Sequence, residues 1–228
     1  MNEVIEPFKK SLFDTNLQNI TVDAMELGID SILKDGLFKD VPIVSSMLSL
    51  VKFGQNIHDR HLLRQLLIFI QEFNKNPKSE NAKKYITNYK KKINTNPKKA
   101  EEELGRVMVI LNRNIDDIKT RILAKLYLSY IQEEINWSKF CDLSEVNEKI
   151  FTIDISVLKD IYSDDPNFDE EKLHNYQRLV STGLLKNDSK FNSGTSLDGM
   201  MLLESAKEST KMELTTLGEQ FANIISLE

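Results

Sequence analysis

The sequence predicts a mainly α protein with a multi-helix N-terminal domain and a small α+β C-terminal module. Apolar residues recur at spacings of three and four over most of the chain, the pattern of helices with one buried face. Glycine and proline are scarce, with 8 Gly and 5 Pro in 228 residues, so long helices are favoured over a turn-rich sheet. Residues 200–203 and 211–215 have β-like apolar or alternating character and indicate strands near the C-terminus.

Length and charge divide the chain into two parts. Because 228 residues exceed one average domain, we expect an all-helical domain over residues 1–134 and a module over residues 136–228. Residues 1–141 contain 22 Lys and Arg against 18 Asp and Glu, a charge of +4, whereas residues 142–228 contain 8 against 17, a charge of −9. The two parts therefore differ in electrostatic character.

The N-terminal domain is predicted to be organised on residues 20–73, which hold the longest apolar surface in the chain. A first helix ends at Gly36, because glycine can adopt the left-handed conformation that closes a helix. Asp40 is expected to cap the second helix, which has Pro42 in its first turn and Gly54 as a kink. The apolar stripe of the second helix comprises Ile43, Val44, Met47, Leu48, Val51, Ile57, Leu62, Leu63, Leu66, Leu67, Ile70 and Phe73.

Three more helices follow in the N-terminal domain. Ser79 is expected to cap the first, and Asn96 with Pro97 begins the second. Asn114 is expected to cap the third. The predicted buried stripes of the first and third helices are Tyr85, Ile86, Tyr89 and Ile93, and Ile118, Ile122, Leu126 and Tyr130.

The C-terminal module is predicted to alternate helices with short strands. Helices are expected from about residue 137, around residues 155–161 and before Gly183, with a strand beginning at Leu184. Residues 186–199 are polar and indicate a loop. Thr215 or Thr216 caps a last helix.

Two resemblances bear on function. The segments RLVSTGLL (residues 178–185) and MELTTLG (residues 212–218) resemble the ending of bacterial winged-helix domains, which implies a module that binds DNA or contacts a protein. The segments VDAMELGID (residues 22–30) and DGLFKDVPIV (residues 35–44) resemble poorly characterised bacterial cytosolic proteins with a helical N-terminal part and a C-terminal winged-helix-like module. Some proteins of this layout are associated with phage defence or abortive infection.

These resemblances imply a non-enzymatic cytosolic interaction or effector protein that acts in antiviral defence through protein-protein or membrane-surface contacts. The alternative is a winged-helix DNA-binding transcription regulator. The net charge of −9 in the C-terminal part disfavours the alternative, because an acidic module is repelled by a phosphate backbone.

Motifs for catalysis and cofactors are missing from the sequence. It contains no nucleophile elbow, P-loop or glycine-rich dinucleotide motif, so we expect no enzymatic activity, no catalytic residue and no cofactor. His58 and His61 are the only clustered histidines and do not complete a metal site. Cys141 is the only cysteine, so no internal disulfide forms, and we interpret it as a small buried hydrophobe.

A lysine-rich segment is the candidate for binding a polyanion. Residues 75–99 contain nine lysines, the first Lys75 and the last Lys99, against one acidic residue, Glu80. Such a segment can follow the phosphates of a nucleic acid or lie on an anionic membrane surface, and the alternative is a solvated helix. We interpret the following residues as polyanion-binding: Lys83, Lys84, Lys90 and Lys91.

An apolar stripe is the candidate surface for a protein partner, for self-association or for a membrane interface. It comprises Val44, Met47, Leu48 and Val51. The stripe would be used after a conformational change, and the alternative is that it forms the core of a helix bundle. No run of apolar residues approaches the roughly 18 needed to cross a bilayer. The N-terminus lacks the features of a signal peptide, so we expect a cytoplasmic protein.

Overall fold

A computed structural model of the chain describes residues 2–14, 40–49, 57–75, 79–163, 170–187 and 212–226. In these ranges the fold is mainly helical with a small two-stranded sheet, as the hydrophobic periodicity predicts. The α-helices are α1 (Asn2–Leu12), α2 (Pro42–Ser49), α3 (Ile57–Lys75), α4 (Glu80–Thr95), α5 (Pro97–Arg113), α6 (Asp117–Ile131), α7 (Trp137–Lys149), α8 (Thr152–Tyr162), α9 (Leu173–Ser181) and α10 (Thr216–Ser226). The strands are β1 (Leu185–Asn187) and β2 (Met212–Leu214), and a short 3-10 helix covers Glu170–Lys172.

Two compact units divide the chain, residues 1–148 and residues 149–227. In the first unit α3 packs most extensively against α6, while α1 packs against α2, α3 and α5, and α4 packs against α5 and α6. Aromatic rings fill the centre. The ring of Phe69 on α3 lies 5.9 Å from Phe8 and 5.9 Å from Tyr127, and Tyr127 lies 5.5 Å from Phe140. Tyr127 and these phenylalanines are fully buried, so they form the core of the unit.

Helix α7 lies with the first unit, although the sequence places the domain boundary before it. The Trp137 ring stacks on Phe140 at 5.0 Å, and Tyr130 of α6 lies 5.2 Å from Trp137. These contacts between large apolar rings remove a hydrophobic face of α7 from water. The two compact units are divided between residues 148 and 149, whereas the sequence predicts domains of residues 1–134 and 136–228.

Several helix ends are those that the sequence predicts. The Ser79 side chain accepts a hydrogen bond from the Ala82 amide at 3.1 Å, and the Asn96 side chain accepts one from the Lys99 amide at 3.1 Å. Pro97 occupies the first turn of α5, where its missing N–H costs no hydrogen bond. These caps are confirmed.

Two predicted caps are wrong. The Ile43 amide of α2 donates to the Ser11 hydroxyl at 2.9 Å, so a side chain from α1 takes the place predicted for Asp40. Asn114 ends α5 instead of capping α6, and its side-chain amide donates to Thr120 at 3.3 Å. Ser11 comes from another helix and Thr120 lies six residues beyond Asn114, so neither partner falls within the single turn to which local capping rules apply.

Three predicted apolar stripes contain an exposed residue. Ile57 is 84% exposed, Tyr85 is 39% exposed and Ile118 is 38% exposed, although all three were expected to lie on an apolar stripe. The buried face of α6 includes the fully buried Leu123 and Tyr127, because this helix packs against both α3 and α4. Cys141, expected to be buried, is half-buried. The helix predicted before Gly36, the kink at Gly54 and the strand at residues 200–203 lie outside the described residues.

The second unit contains α8, α9, the two strands and α10. The strands are antiparallel with Leu185 opposite Leu214 and Asn187 opposite Met212. Gly183 follows α9 with φ of 77°, a left-handed conformation that favours glycine. Thr215 caps α10 by accepting from the Gly218 amide at 3.0 Å. A Cβ on Gly218 would lie 2.0 Å from the Leu184 carbonyl oxygen, so only glycine fits there.

Candidate functional site

Helix α4 presents a broad polar face to solvent. Three of its residues are buried, Ala82, Tyr89 and Ile93, and they form a single stripe. Because successive residues of an α-helix are rotated by about 100°, Lys84 and Lys91 lie on the side opposite this stripe. Both residues are exposed. The helix therefore directs positive charge away from the body of the unit.

The other predicted lysines flank this direction. Lys83 is exposed and pairs with Glu80, with 2.8 Å between Nζ and Oε1. Lys90 is exposed, and its Nζ donates to the Phe13 backbone carbonyl at 3.5 Å. Helical rotation places these two lysines on one flank and Lys92 on the other. We call the exposed half of the helix the lysine face, which consists of Lys83, Lys84, Lys90, Lys91 and Lys92.

A polar cleft of about 460 Å³ adjoins the lysine face beside α1. Its lining includes Lys10, Lys90 and Asp14, together with an ion pair between Lys9 and Glu6 at 2.7 Å. Charges of both signs line this cleft, so its field is weaker than that of the lysine face. The polar cleft therefore adds little selectivity for an anion.

A second cleft of about 360 Å³ opens on the opposite flank of α4 and is rich in aromatic rings. We call it the aromatic cleft. Helix α4 contributes Tyr85, Asn88, Tyr89 and Lys92. The facing wall, from α6 and the start of α7, contributes Tyr130, Ile131, Glu133, Ile135, Asn136 and Trp137. Lys92 thus belongs to both the lysine face and the aromatic cleft.

A buried polar network supports the floor of the aromatic cleft. Glu103 of α5 is 3% exposed and accepts hydrogen bonds from the Tyr89 hydroxyl and, at 2.7 Å, from the Tyr130 hydroxyl. Lys99 Nζ lies 2.8 Å from the same carboxylate. Because the Tyr89 proton is given to Glu103, the Tyr127 hydroxyl, 2.7 Å away, donates to Tyr89. These donors offset the free-energy cost of burying the Glu103 carboxylate, and the carboxylate in turn fixes the rings of Tyr89 and Tyr130.

The pKa of each network tyrosine is raised. Burial is the largest cause for Tyr89, Tyr127 and Tyr130, because it disfavours a charged phenolate, and the nearby Glu103 carboxylate raises each pKa further. All three hydroxyls therefore stay protonated at neutral pH and remain hydrogen-bond donors.

The turn between α6 and α7 shapes the rim of the aromatic cleft. Glu133 has φ of 62°, a left-handed conformation that is uncommon for a residue with a side chain. The Ser129 carbonyl accepts from the Glu134 amide at 3.0 Å, and the Asn136 side chain accepts from the Lys139 amide at 2.9 Å. These bonds hold the strained turn and direct Trp137 against Tyr130.

A second polar network joins α3 to α6. Thr120, which is fully buried, donates to the Gln65 side chain, and Gln65 donates to Asp117 at 3.2 Å. Arg64 donates to both oxygens of Asp117, at 2.6 and 3.3 Å. Burial opposes ionisation of Asp117, but its bonds to Arg64 and Gln65 outweigh burial and lower the pKa of this carboxyl. The network fixes the helix pair and lines neither cleft.

One ring of the histidine pair is hydrogen-bonded to the backbone. His61 Nε2 lies 2.6 Å from the Asn114 carbonyl oxygen, so this ring nitrogen donates a hydrogen bond to the backbone. Within the described ranges no group of three or more His, Cys, Asp or Glu side chains could hold a metal ion. Burial raises the pKa of the half-buried Cys141 thiol, which keeps it protonated and weakly nucleophilic.

The cations of the second unit that could contact DNA are paired with acidic residues of the same unit. Arg178 donates to both oxygens of Asp154, at 2.8 and 2.5 Å, and Asn175 donates to Asp154 at 2.7 Å. Asp154 is 1% exposed, so the ion pair holds α8 to α9. Lys186 lies 3.3 Å from Glu213 on the neighbouring strand. Sequence reasoning did not single out Asp154, which looks like an ordinary acidic residue in the first turn of a helix.

The predicted apolar surface lies mostly in the core. Val44 is fully buried and Met47 is 3% exposed, whereas Leu48 is 36% exposed. Val51 lies outside the described residues. Helix α2 packs against α1, which accounts for this burial. Use of the stripe after a conformational change stays a prediction.

Comparison with known proteins gives no functional assignment. No helix in the described ranges is both long and apolar enough to span a bilayer. The chain matches no protein-family model, no curated protein and no solved structure at a significant level. The lysine face and the aromatic cleft are therefore interpreted from their own geometry.

Proposed function

We propose that this chain is a non-enzymatic binding protein whose first unit holds an anionic partner on the lysine face. The observation that carries this proposal is the asymmetry of α4, which buries three residues and directs Lys84 and Lys91 straight away from them. Clustered exposed lysines raise the local concentration of a polyanion and release its counterions on binding. Of the contacts expected from the sequence, the anionic membrane surface and nucleic acid would use the lysine face, whereas the protein partner was assigned to the apolar stripe of Val44, Met47, Leu48 and Val51.

The shifted titratable groups support a binding function over a catalytic one. Two network tyrosines, Tyr89 and Tyr130, line the aromatic cleft, but both hydroxyls are bonded to Glu103. The pKa of each is raised further from neutrality, whereas proton transfer near pH 7 is most efficient for groups with a pKa near 7. Asp117 is likewise engaged with Arg64. These groups are suited to structural roles.

A matched pair of charge reversals tests the lysine face. We expect Lys84→Glu/Lys91→Glu to weaken binding of a labelled oligonucleotide or of phosphatidylserine vesicles at least about tenfold at about 50 mM salt. Wild-type affinity should fall steeply between about 50 and about 200 mM salt. The control Lys149→Glu/Lys159→Glu lowers the net charge equally at exposed positions outside α4 and should change affinity less than about twofold. Equal losses in the two variants would show that net charge, and not the lysine face, governs binding.

A second candidate function follows from the order of elements in the second unit. The order α8, α9, β1, β2, α10, with antiparallel strands, supports our proposal of a winged-helix-like arrangement. Because Arg178 and Lys186 are held in ion pairs, we favour a protein contact over DNA reading for this unit. A DNA-binding regulator instead predicts that substitutions of Gln177, Arg178 and Lys186 weaken sequence-specific binding to duplex DNA, and that reversal of the lysine face weakens it only generally.

A role in phage defence rests on the resemblance of residues 22–30 and 35–44 alone. If the lysine face carries such a role, cells expressing Lys84→Glu/Lys91→Glu should lose any protection that the wild-type chain gives in plaque counts. Equal protection by both proteins would separate defence from the lysine face.

A further inference from the structure

We propose that the aromatic cleft seats an unstacked nucleobase, so that the partner of the lysine face is single-stranded nucleic acid. This inference rests on the proposed function, since it names the class of anion that α4 holds. The two surfaces are continuous. Lys92 follows Lys91 of the lysine face and lines the cleft, and Asn88 lies one helical turn from both Lys84 and Lys91 while lining it too.

The chemistry of the aromatic cleft fits a base. Tyr85 is 39% exposed, and Tyr130 and Trp137 are half-buried with their rings 5.2 Å apart, so aromatic surface faces the cleft from both walls. Every base has a flat face that stacks on such rings. Asn88 is exposed at the cleft, and its amide can both donate to and accept from the edge of a base.

The charges of the cleft orient this occupant. Lys92 is positive on the α4 side, and Glu133 is negative on the opposite rim. A phosphate is attracted to Lys92 and repelled by Glu133, so the backbone of the strand belongs along α4. The exocyclic amino group of a base, or a sugar hydroxyl, can donate to Glu133.

The cleft is prepared for binding before the strand arrives. Glu103 holds the hydroxyls of Tyr89 and Tyr130, and Phe140 stacks on the ring of Trp137 at 5.0 Å. Rings that are already fixed lose little conformational freedom on binding. A rigid aromatic site next to exposed lysines is the combination found where single strands bind without strong sequence preference.

Two other anions fit the surface less well. Apart from Tyr85, the exposed residues of α4 are lysine, asparagine, threonine and glutamate, so the exposed half of this helix offers no aliphatic side chain to insert into a bilayer. A DNA duplex keeps its bases stacked and paired, so it has no free base for the cleft. A single strand satisfies both the lysine face and the aromatic cleft.

The test separates base stacking from phosphate contacts. Binding is measured at fixed salt for a labelled single strand of about 12 nucleotides, for the same strand with every base removed, for its duplex and for phosphatidylserine vesicles. We expect the intact single strand to bind about tenfold more tightly than the abasic strand. Tyr85→Leu should remove most of that preference without changing abasic binding, and Tyr85→Phe should keep it because the ring remains.

A matched variant controls for the loss of an exposed tyrosine. Tyr162 is 38% exposed, close to the exposure of Tyr85, and lies in the other unit, so Tyr162→Leu should leave the preference unchanged. Equal binding of intact and abasic strands, stronger binding of the duplex, or binding of vesicles alone would overturn the inference while the lysine face stands. Failure of all four probes to bind would overturn the proposed function as well.

Discussion

Helices α3 and α4 are neighbours in the chain and of similar length, yet α3 lies largely in the core and α4 is largely exposed to solvent. Nine residues of α3 are buried, including the polar Gln65 and Glu72, whereas three residues of α4 are buried. Gln65 bonds to Thr120 and Glu72 pairs with Arg121, so even the buried polar groups of α3 serve its contact with α6. The exposed half of α4 has no such role in the core.

The difference shows which helix determines the fold and which one is available for function. Substitutions on α3 change packing or leave a buried polar group without its bond, and both are costly. Most substitutions on the exposed half of α4 change charge alone, and exposed charges contribute little to stability. The sequence of α4 can therefore vary with its partner while the fold remains.

The largest expected effect is the loss of stability caused by a charge on the buried face of α3. Leu66 is fully buried, so Leu66→Asp places a carboxylate in the core and should lower the free energy of unfolding by about 3–5 kcal/mol. Lys84→Asp, which introduces the same side chain on α4, should change it by less than about 1 kcal/mol. Urea unfolding measures both values. Similar losses in the two variants would contradict the contrast between the helices.

A smaller effect is expected for Tyr89, through which α4 joins the buried polar network around Glu103. The folded-state pKa of Tyr89 and Tyr127 is raised above the unfolded value of about 10, so their contribution to stability is fully present below pH 10 and is lost as the pH rises further. Each should cost about 1.4 kcal/mol at pH 11. The pKa of Tyr130 is raised as well, so Tyr89→Phe should remove about a third of the total alkaline loss, as measured by urea unfolding at pH 9 and pH 11. An unchanged loss would place the titrating groups elsewhere.

The smallest expected effect is the change in stability caused by charge reversal on the exposed half of α4. Lys84→Glu/Lys91→Glu should leave the free energy of unfolding within about 0.5 kcal/mol of wild type, because both residues are exposed and opposite the buried stripe. The same protein should lose polyanion binding. A large loss of stability would mean that these lysines hold the helix in place.

The sequence predicts those features of the fold that depend on near neighbours. Ser79, Asn96 with Pro97, and Gly183 act within one helical turn, and the structure places each as expected. The mainly helical fold follows from periodicity over similar distances. The placement of α7 depended on a contact between Trp137 and Tyr130 across a turn, which periodicity does not specify.

The candidate site was predicted in part. Lys84 and Lys91 stand out in sequence as charge, and their exposure follows from the stripe of Tyr89 and Ile93. The aromatic cleft could not be predicted, because Tyr85 was assigned to the buried stripe and its facing wall comes from another helix. Glu103 gave no signal, since one glutamate within an acidic turn looks like solvent-exposed charge. Its burial depends on donors from α4 and α6 that only the tertiary fold supplies.

The position of Trp137 gives the protein a built-in optical probe. It is the only tryptophan in the chain, it lies in the first unit, and its indole lines the aromatic cleft. Its emission therefore monitors unfolding of the first unit alone, whereas far-ultraviolet circular dichroism sums the helices of both units. If the two units unfold separately, the transitions recorded by these two signals will not coincide. A strand entering the cleft should also change the indole emission directly, so binding can be followed without a label.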